Sequence, residues 1–438
     1  MMGRITTGVI VFAMGIGALV VGANISEQPR PSAVGTTVSV APARQDVVCP
    51  GPLVTPLGGT GKDPELGGGA TGVTSRAFLT GTIRPVGEGK ASDAVVGAQV
   101  DRVGGGDTSG LAALTCSAPS TDQWLVAGAT TVGNSARLVL SNPAGSSVEA
   151  TATVYGEIGK VDSRTVAIGP NAQATVLLEG LAADVAAPVV HVTATGTGVV
   201  AALQDSRLNG FQPFGTDWAT ASALGEQLAI PGVGTDGSAS QTATVRLLSP
   251  KDATVRLVLT TPDGAAVWEG VTALALQGGV AIEVAVPAVD VGTVTIYSDS
   301  PVVAGAIMTR TRPATSGVEG DTAQELRWIP AQLAGDDNER AAVAVGYGEQ
   351  VVVYSPTAGT FTLTDANGAS VASAQLKAGA TAVVPISVAP GTVLTSHGPF
   401  TWTVLVADGD FIASMAPTRT TIDSVEIAVE QRRYVPIP

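Results

Sequence analysis

The chain has 438 residues, which is room for several domains, and its 45% hydrophobic residues are enough for each domain to bury a core. Its formal net charge is −14, with 23 basic residues and no basic run longer than the pair Arg432 and Arg433. Nucleic acid is therefore excluded as an expected partner, because it needs a basic stripe to neutralise its phosphates. The 54 Gly and 27 Pro, with only 14% charged residues, favour short strands and turns.

The N-terminus predicts export. After Arg4, residues 5–23 carry no charge, and an apolar stretch of this length is long enough to cross a bilayer as a helix. The same segment, 1–23, has the basic start and small C-terminal residues of a signal peptide, so an uncleaved anchor and a cleaved signal both remain open. Residues 24–46, rich in Pro, Ser and Thr, predict a flexible tether. We expect an extracytoplasmic protein whose membrane contact is confined to this N-terminal segment.

Two cysteines occur in the chain, Cys49 and Cys116. A single pair in an exported chain predicts a disulfide, since neither cysteine has a neighbour at the spacing of a metal or redox site. The segment 47–123 around them contains Gly-rich loops and too few strand patterns for a complete domain. It predicts an incomplete β unit held by the disulfide.

A repeat of about one hundred residues follows. Three apolar segments, VVAALQDSR, VVAGAIMTR and FIASMAPTR, end in Ser or Thr followed by Arg207, Arg310 and Arg419. A short apolar motif opens each unit, as QWLVAG, QLAIPG and RWIPAQ. These markers predict three β-sandwich repeats, 124–227, 228–327 and 328–419, with a C-terminal strand or tail at 420–438. We expect the three arginines to have a structural role at the ends of the repeats.

Within each repeat, alternating apolar segments are separated by turn signals every 8 to 12 residues. This pattern is typical of antiparallel sandwiches of the immunoglobulin type. The fold class predicted is all-β, with tandem sandwiches. A β-propeller, in which each repeat supplies two blades, is the alternative.

The cluster Asp205, Ser206 and Arg207 raises the hypothesis of a serine nucleophile. Such a nucleophile needs a base within hydrogen-bonding reach, and His191 is the histidine of the same repeat. Only the Ser-Arg part of the cluster recurs, as Thr-Arg, so the sequence favours a strand end over a catalytic group. No catalytic residue is predicted, and the chain is expected not to be an enzyme; a secreted hydrolase is the weaker alternative.

Metal and cofactor sites are not predicted either. His191 and His397 lie far apart in sequence, and the acidic segment GDDNER, residues 335–340, favours an exposed turn over a Ca²⁺ site. Aromatic residues cluster outside a strand pattern in FQPFGTDW. We assign Phe211, Phe214 and Trp218 to a ligand surface or to a joint between domains.

The sequence VVCPGP, followed by LTCSAPSTDQWLVAG and the SNPAG turn, resembles an actinobacterial family of unknown function. Its members are secreted or anchored β-rich envelope proteins, commonly encoded beside a cell-envelope glycosyltransferase. The markers here are Cys49, Cys116, Trp124, the Asn142-Pro143 turn and Gly156. The resemblance implies an envelope location and transfers no catalytic residues.

Together these observations predict a non-enzymatic scaffold or interaction protein of the cell envelope. Its partner would be an envelope protein or a glycan. The alternative function is that of a glycan-binding accessory of cell-wall or surface-polymer assembly.

Overall fold

The computed structural model describes residues 35–40, 47–54, 74–80, 95–106, 108–210, 212–314, 322–419 and 425–430. The predicted signal or anchor segment, 1–23, lies outside these ranges, as does most of the predicted tether and of the C-terminal tail. Within the described ranges, no helix is long and apolar enough to span a membrane.

The described residues form antiparallel strands and a 3₁₀ helix at Leu178–Gly180. The strands before the first long connector are β1 (Gly35–Val40), β2 (Thr74–Thr80), β3 (Val96–Val103), β4 (Gly110–Thr115), β5 (Asp122–Val126), β6 (Asn134–Asn142), β7 (Val148–Gly156), β8 (Gly159–Ile168), β9 (Ala172–Leu177), β10 (Val189–Ala194), β11 (Val200–Asn209) and β12 (Gln212–Ala219). They continue with β13 (Leu224–Thr235), β14 (Gln241–Leu248), β15 (Ala253–Thr261), β16 (Gly264–Ala266), β17 (Leu274–Leu276), β18 (Ile282–Ala285), β19 (Val289–Pro313), β20 (Thr322–Pro330) and β21 (Gln332–Leu333). The remaining strands are β22 (Arg340–Val343), β23 (Gly348–Ser355), β24 (Gly359–Thr364), β25 (Ser370–Leu376), β26 (Ala380–Ile386), β27 (Val393–Ser396), β28 (Thr401–Asp408), β29 (Phe411–Met415), β30 (Thr418–Arg419) and β31 (Val425–Glu430).

The first sandwich consists of two four-stranded sheets, in the orders β5-β10-β7-β8 and β12-β11-β6-β9. Inward residues of both sheets, such as Leu125, Leu138, Val154 and Leu203, are fully buried in one core. β7 shows the reason, because its burial alternates strictly along VEATATVYG. The prediction of an all-β sandwich fold is confirmed.

The second sandwich is organised by β19, a strand of 25 residues. Its first part pairs with β13 and β15, and its last part, from Val303 to Pro313, pairs with β14 and β20. The segment Ser-Asp-Ser-Pro, residues 298–301, has the composition of a turn signal, but it does not end the strand. The chain continues through Pro301, and the two halves of β19 pair with different strands.

The third sandwich has sheets in the orders β25-β24-β27-β22-β30 and β26-β23-β28-β29. Its core contains Phe361, Trp402 and Val404, and it also contains residues of the N-terminal hairpin β3-β4, such as Val100 and Leu111. The hairpin of the predicted incomplete unit, 47–123, therefore shares the core of the third sandwich. The third sandwich supplies the apolar surface that this unit lacks.

Strand β4 explains how one hairpin joins two sandwiches. Leu111 and Ala113 belong to the core of the third sandwich. Ala112 and Leu114 face the other way and pack with Val139 and Trp218 of the first sandwich. Because side chains alternate between the faces of a strand and every residue of β4 is buried, β4 is buried on both sides.

Four strands at the edges of their sheets, β4, β12, β20 and β29, pack against one another, and we call this group the hub. β12 contacts β4 and β20, and β29 contacts the same two strands. Gly215 permits the contact between β12 and β20: it has φ +93°, and a Cβ at this position would lie 2.8 Å from the carbonyl carbon of Glu325. The hub brings all three sandwiches together.

The structure places the repeat markers differently from the sequence alignment. Arg207 lies near the end of β11, and Arg310 lies near the end of β19. Arg419 instead lies in β30, which follows the hub strand β29. β28 occupies the position of β11, since both are followed by a tight turn and a hub strand. Likewise Trp328 lies in the hub strand β20, paired with β19 of the second sandwich, so the sheets do not divide at residue 328.

The described residues divide into two compact units: residues 47–419 with their gaps form one, and residues 35–40 with 425–430 form the other. In the second of these, β1 pairs with β31 in antiparallel register from Gly35–Glu430 to Val40–Val425. Part of the predicted tether is thus a strand. Its partner is part of the predicted C-terminal tail.

Cys49 and Cys116 form a disulfide, with a Cα–Cα distance of 4.6 Å and a sequence separation of 67. It fixes the segment 47–54 beside the end of β4, where Val48 and Ser117 also pair through their backbones. The amide of Gln99 holds the same segment through both backbone groups of Gly51. The segment is thereby attached to the hairpin that joins the first and third sandwiches.

We expect the double variant Cys49→Ser/Cys116→Ser to lose about 4 kcal/mol of unfolding free energy, from the chain entropy of a loop of this length. Denaturant titration of both proteins, with and without reductant, measures the loss. Reductant should destabilise the wild type and leave the double variant unchanged. Equal stability of the two oxidised proteins would contradict this role.

Candidate functional site

Asp205 lies at the centre of a buried polar network between the first and second sandwiches. Its side chain is completely buried, and its Oδ2 accepts hydrogen bonds from Trp328 Nε1 and Arg207 Nη2, both at 2.8 Å. The Arg207 guanidinium lies 5.9 Å from the centre of the Trp328 ring. The cluster that suggested a nucleophile is therefore a joint between β11 and the hub strand β20.

Arg246 of β14 contacts the same tryptophan from the second sandwich. Its guanidinium lies 5.0 Å from the Trp328 ring centre and donates to the carbonyls of Gly128 and Pro188 in the first sandwich, at 2.9 and 2.8 Å. Burial lowers the pKa of Arg246, and Glu283 opposes this effect through an ion pair of 2.9 Å. One buried arginine thus links loops of one sandwich to a strand of the other.

Asp217 of β12 is buried in the hub. Its Oδ2 accepts a hydrogen bond of 2.8 Å from the backbone N–H of Trp328. Burial raises the pKa of Asp217 well above its ordinary value, although hydrogen bonds from the backbones of Trp328, Trp218 and Ala113 oppose the rise. The carboxyl group accepts hydrogen bonds from backbone N–H groups of hub strands, on the edge of each strand that has no neighbouring strand to pair with.

Glu325 of β20 likewise accepts a hydrogen bond from a backbone N–H group of β4. Its Oε2 accepts from the backbone N–H of Leu111 at 3.3 Å, and its Oε1 accepts from Arg312 Nε at 2.6 Å. Burial raises the pKa of Glu325 to about 7, although the adjacent Arg312 opposes the shift. Arg312 also donates to Ser109 Oγ at 2.8 Å, so the pair reaches the N-terminal hairpin.

Phe411 of β29 lies between two arginines. The Arg102 and Arg312 guanidinium groups lie 3.3 and 4.1 Å from its ring centre. Arg102 also pairs with Asp408 at 2.8 Å. These contacts attach the third sandwich to the N-terminal hairpin and to the second sandwich.

Ser206 and His191, the two residues of the hydrolase hypothesis, are not brought together. Ser206 is buried in β11 and shares hydrogen bonds with Thr216 Oγ1 at 2.7 Å and Gln204 Nε2 at 3.0 Å. His191 lies in the other sheet of the sandwich, stacked on Trp124 at 4.0 Å between ring centres. Its Nε2 lies 3.1 Å from Asp122 Oδ2. The base that a Ser206 nucleophile requires is on a different sheet.

The remaining candidates have structural contacts. Asp336, in the acidic segment 335–340, pairs with Arg340 at 3.0 Å and with Arg419. His397 pairs with Glu339 at 3.2 Å. Over the described part of the chain, no group of three His, Cys, Asp or Glu side chains is arranged to hold a metal ion.

The aromatic segment around Trp218 belongs to a joint. Trp218 is only 2% exposed, and its Nε1 donates to Asp101 Oδ2 at 3.0 Å, so it cannot form a ligand surface. Phe214 is partly buried in β12, and Phe211 lies outside the described residues. The pair Trp218–Asp101 matches the pair Trp328–Asp205: in each, an indole of a hub strand donates to an aspartate of the strand that precedes another hub strand.

Clefts open on the surface of the compact unit. One, of about 450 Å³, lies between the second and third sandwiches and contains Arg310 and Arg327 with Asp290 and Glu349. Another, of about 550 Å³, is lined by the segments that follow β4, β12, β20 and β29, and we call it the connector cleft. It lies where all four hub strands leave the hub.

Sequence reasoning missed Asp217, Glu325, Arg312 and Arg246. The signal available was a charged residue inside an apolar segment at an inward position, as in ATVRLLS around Arg246. A buried charge in such a place needs a partner from elsewhere in the chain. The sequence does not identify that partner, because it comes from another sandwich.

We expect Asp205→Ala to lower the free energy of unfolding by about 2 to 4 kcal/mol, because the buried indole N–H of Trp328 and the partly buried guanidinium of Arg207 lose their acceptor. Denaturant titration measures the loss, with Asp263→Ala, in an exposed turn, as the control. The control should change stability by about 0.5 kcal/mol or less. A loss of the same size in both variants would contradict the role of Asp205.

The raised pKa of Glu325 predicts a pH dependence of stability. Between pH 4.5 and 7 the folded state keeps a proton that the unfolded state releases, so stability falls as the pH rises, by up to about 3 kcal/mol. Unfolding titrations at several pH values measure the slope. Glu325→Gln should reduce the slope in this window, with the remaining slope due to Asp217, whose pKa burial also raises. An unchanged slope would contradict the assignment.

Comparisons with known proteins give a family and little else. Residues 70–387, most of the chain, match the model of a family described as "Family of unknown function (DUF5719)". The search of curated proteins found no match. A solved structure titled "Biofilm associated protein - BSP domain" is similar at 11% identity and a TM-score of 0.15, over 80% of this chain and 67% of that one. This score is too low to carry an argument. The chain belongs to the family of unknown function DUF5719.

Proposed function

We propose that the chain is a non-enzymatic, extracytoplasmic scaffold or interaction protein of the cell envelope. The observation that carries the proposal is the hub, in which buried ion pairs and indole hydrogen bonds join three sandwiches into one unit. Separate sandwiches on flexible linkers would move independently, whereas sandwiches joined in this way hold their surface clefts in a fixed geometry. A surface of fixed geometry is suited to a protein that binds a partner and catalyses no reaction on it.

Two features support the extracytoplasmic location. The disulfide Cys49–Cys116 is of the kind that persists in oxidising compartments. The uncharged segment 5–23 has the length and composition of an export signal or anchor. The resemblance noted from the sequence adds an actinobacterial envelope context.

The positions of the candidate catalytic groups favour binding over hydrolysis. A serine nucleophile requires a base in contact with its hydroxyl and a site for the substrate carbonyl. The Ser206 hydroxyl is instead buried and bonded to Gln204 and Thr216, and His191 faces Asp122 on the other sheet. Neither group is part of the connector cleft.

Complementation tests the proposal. Depletion of the protein in its host should change envelope composition, and Ser206→Ala or His191→Gln should restore that composition as well as the wild type does. Ser141→Ala is the matched control, because Ser141, like Ser206, has a buried hydroxyl that forms a hydrogen bond with another side chain, here Gln173 at 2.9 Å.

Envelope composition and protein amount are measured together. Failure of Ser206→Ala or His191→Gln at normal protein amount, with Ser141→Ala restoring growth and composition, would overturn the non-enzymatic assignment. A normal envelope after depletion, with no envelope partner cross-linked in the cell, would overturn the scaffold assignment.

A further inference from the structure

The cleft between the second and third sandwiches, which we call the arginine cleft, contains a partly buried cation without a carboxylate partner. The cation is Arg327 of β20, whose Nη2 donates to the Gly232 carbonyl and to the Met308 thioether, both at 3.2 Å. Among the described residues Arg327 forms no ion pair, whereas the buried Arg246 and Arg312 each pair with a glutamate. Removing a guanidinium from water without an anion beside it is costly, so these surroundings favour an anionic ligand.

The guanidinium of Arg327 has one group that such a ligand can reach. Its Nε is enclosed by the protein, and its Nη2 is used by Gly232 and Met308. Its Nη1 donates to none of the described residues and is not enclosed in the way that Nε is. Because Arg327 lines the arginine cleft, Nη1 is the donor available there.

Arg310 brings a second positive charge to the arginine cleft. In the pair β19–β20, Arg327 lies opposite Met308, and Arg310 is the next residue of β19 on that face. The two arginines are therefore diagonal neighbours, with Cβ atoms about 7 Å apart. Burial and the nearby Arg310 lower the pKa of Arg327 to about 10. Arg310 itself pairs with Asp410 at 3.4 Å, but side chains that are 42% and 50% exposed form a weak pair.

The two carboxylates that line the arginine cleft do not neutralise these arginines. Glu349 is 9% exposed, and its Oε1 accepts a hydrogen bond of 2.8 Å from the backbone N–H of Val345. Burial raises the pKa of Glu349, which disfavours its charged form. Asp290 is exposed, and within the described ranges it pairs with neither arginine. The positive charge of the arginines is thus available to a ligand.

The rest of the lining indicates the chemistry of the ligand. Guanidinium groups bind carboxylate and phosphate oxygens through paired N–H donors. The amides of Gln241 and Gln350 are further hydrogen-bond donors in the lining, and Val291, Leu405 and Ile412 contribute apolar surface. A ligand that fits has an oxyanion at one end and an apolar group at the other. A cleft of about 450 Å³ has the size of a small-molecule site.

We infer that the arginine cleft binds a small carboxylate or phosphate monoester that carries an apolar group, with Arg310 and Arg327 holding its charged oxygens. The inference goes beyond the proposed function, which names no small-molecule ligand. Because strands of the second and the third sandwich both line the cleft, such a ligand contacts both sandwiches.

Saturation-transfer NMR titrations on the full chain test the inference, with benzoate and phenyl phosphate as probes. At least one of these aromatic anions should bind. Benzamide, which has the shape of benzoate without its charge, should bind about tenfold more weakly, because charged hydrogen bonds are stronger than neutral ones. Inorganic phosphate, which lacks the apolar group, should displace the bound probe only at a much higher concentration.

Variants of the two arginines and of Asp410 locate the site. Arg310→Gln and Arg327→Gln should each weaken binding about tenfold. Arg310→Gln should keep the melting temperature of the wild type, because the Arg310 side chain is largely exposed. Asp410→Asn should strengthen binding about twofold to fivefold, because it releases Arg310 from its ion pair. A damaged fold does not produce such a gain in affinity.

Arg256→Gln is the matched control. Arg256 is an exposed arginine of β15 in the same sandwich, with its guanidinium 4.2 Å from the Tyr297 ring centre, and it lies outside the cleft. This variant should bind the probe as the wild type does. Failure of both aromatic anions to bind, equal binding of benzamide and benzoate, or wild-type affinity in Arg310→Gln would overturn the inference.

The same samples separate this inference from the proposed function. If neither anion binds, the site fails and the scaffold function is unaffected, because that function depends on an envelope partner. If a bound probe is converted to a product, the non-enzymatic function fails and the site remains.

Discussion

The structure depends on buried carboxylates that satisfy the free edges of sheets. A strand at the edge of a sheet has unpaired backbone N–H groups, and burying them without partners is costly. The hub buries four such edges together. Asp217 accepts the N–H of Trp328, and Glu325 accepts the N–H of Leu111, so that each carboxylate takes the place of a neighbouring strand.

These hydrogen bonds explain why the carboxyl groups of Asp217 and Glu325 are buried in the hub. Desolvation raises the pKa of both Asp217 and Glu325, so neither residue gains from its location as an isolated ion. Their value lies in geometry, because a carboxylate on one sandwich can bond a specific backbone group on another. The indole pairs Trp218–Asp101 and Trp328–Asp205 act in the same way. Apolar contacts alone would fix the relative orientation of the sandwiches less specifically.

The sequence predicted the strands but did not predict how the three sandwiches pack against one another. Alternation along segments such as VEATATVYG predicts strands directly, because burial on one face of a sheet repeats every second residue. The apolar strand β4 carries no such information: GLAALT is buried on both faces, and nothing local shows that the faces belong to different sandwiches. The alignment on Arg419 was displaced by one strand for a related reason, since β28 and β29 are both short apolar strands. Only their pairing distinguishes the closing strand from the hub strand.

At the candidate site, too, the sequence predicted local strand structure and did not predict contacts between distant segments. The sequence favoured a strand end for the cluster at Asp205, because only Ser-Arg recurs, and the structure has the cluster within β11, two to four residues before its end at Asn209. It did not predict the connector cleft, whose lining comes from four segments spread over about three hundred residues of the chain and includes ordinary Thr, Ser and Arg residues. A site made by packing of separate connectors has no local motif.

The central claim is that the hub makes the three sandwiches one cooperative unit. Hydrogen exchange measured by mass spectrometry at increasing denaturant tests it, by comparing the opening free energies of β11, β19 and β28. If the hub joins the sandwiches, these strands should open together, with the same free energy and the same dependence on denaturant. Opening of the third sandwich at low denaturant, with β11 and β19 still protected, would contradict the account.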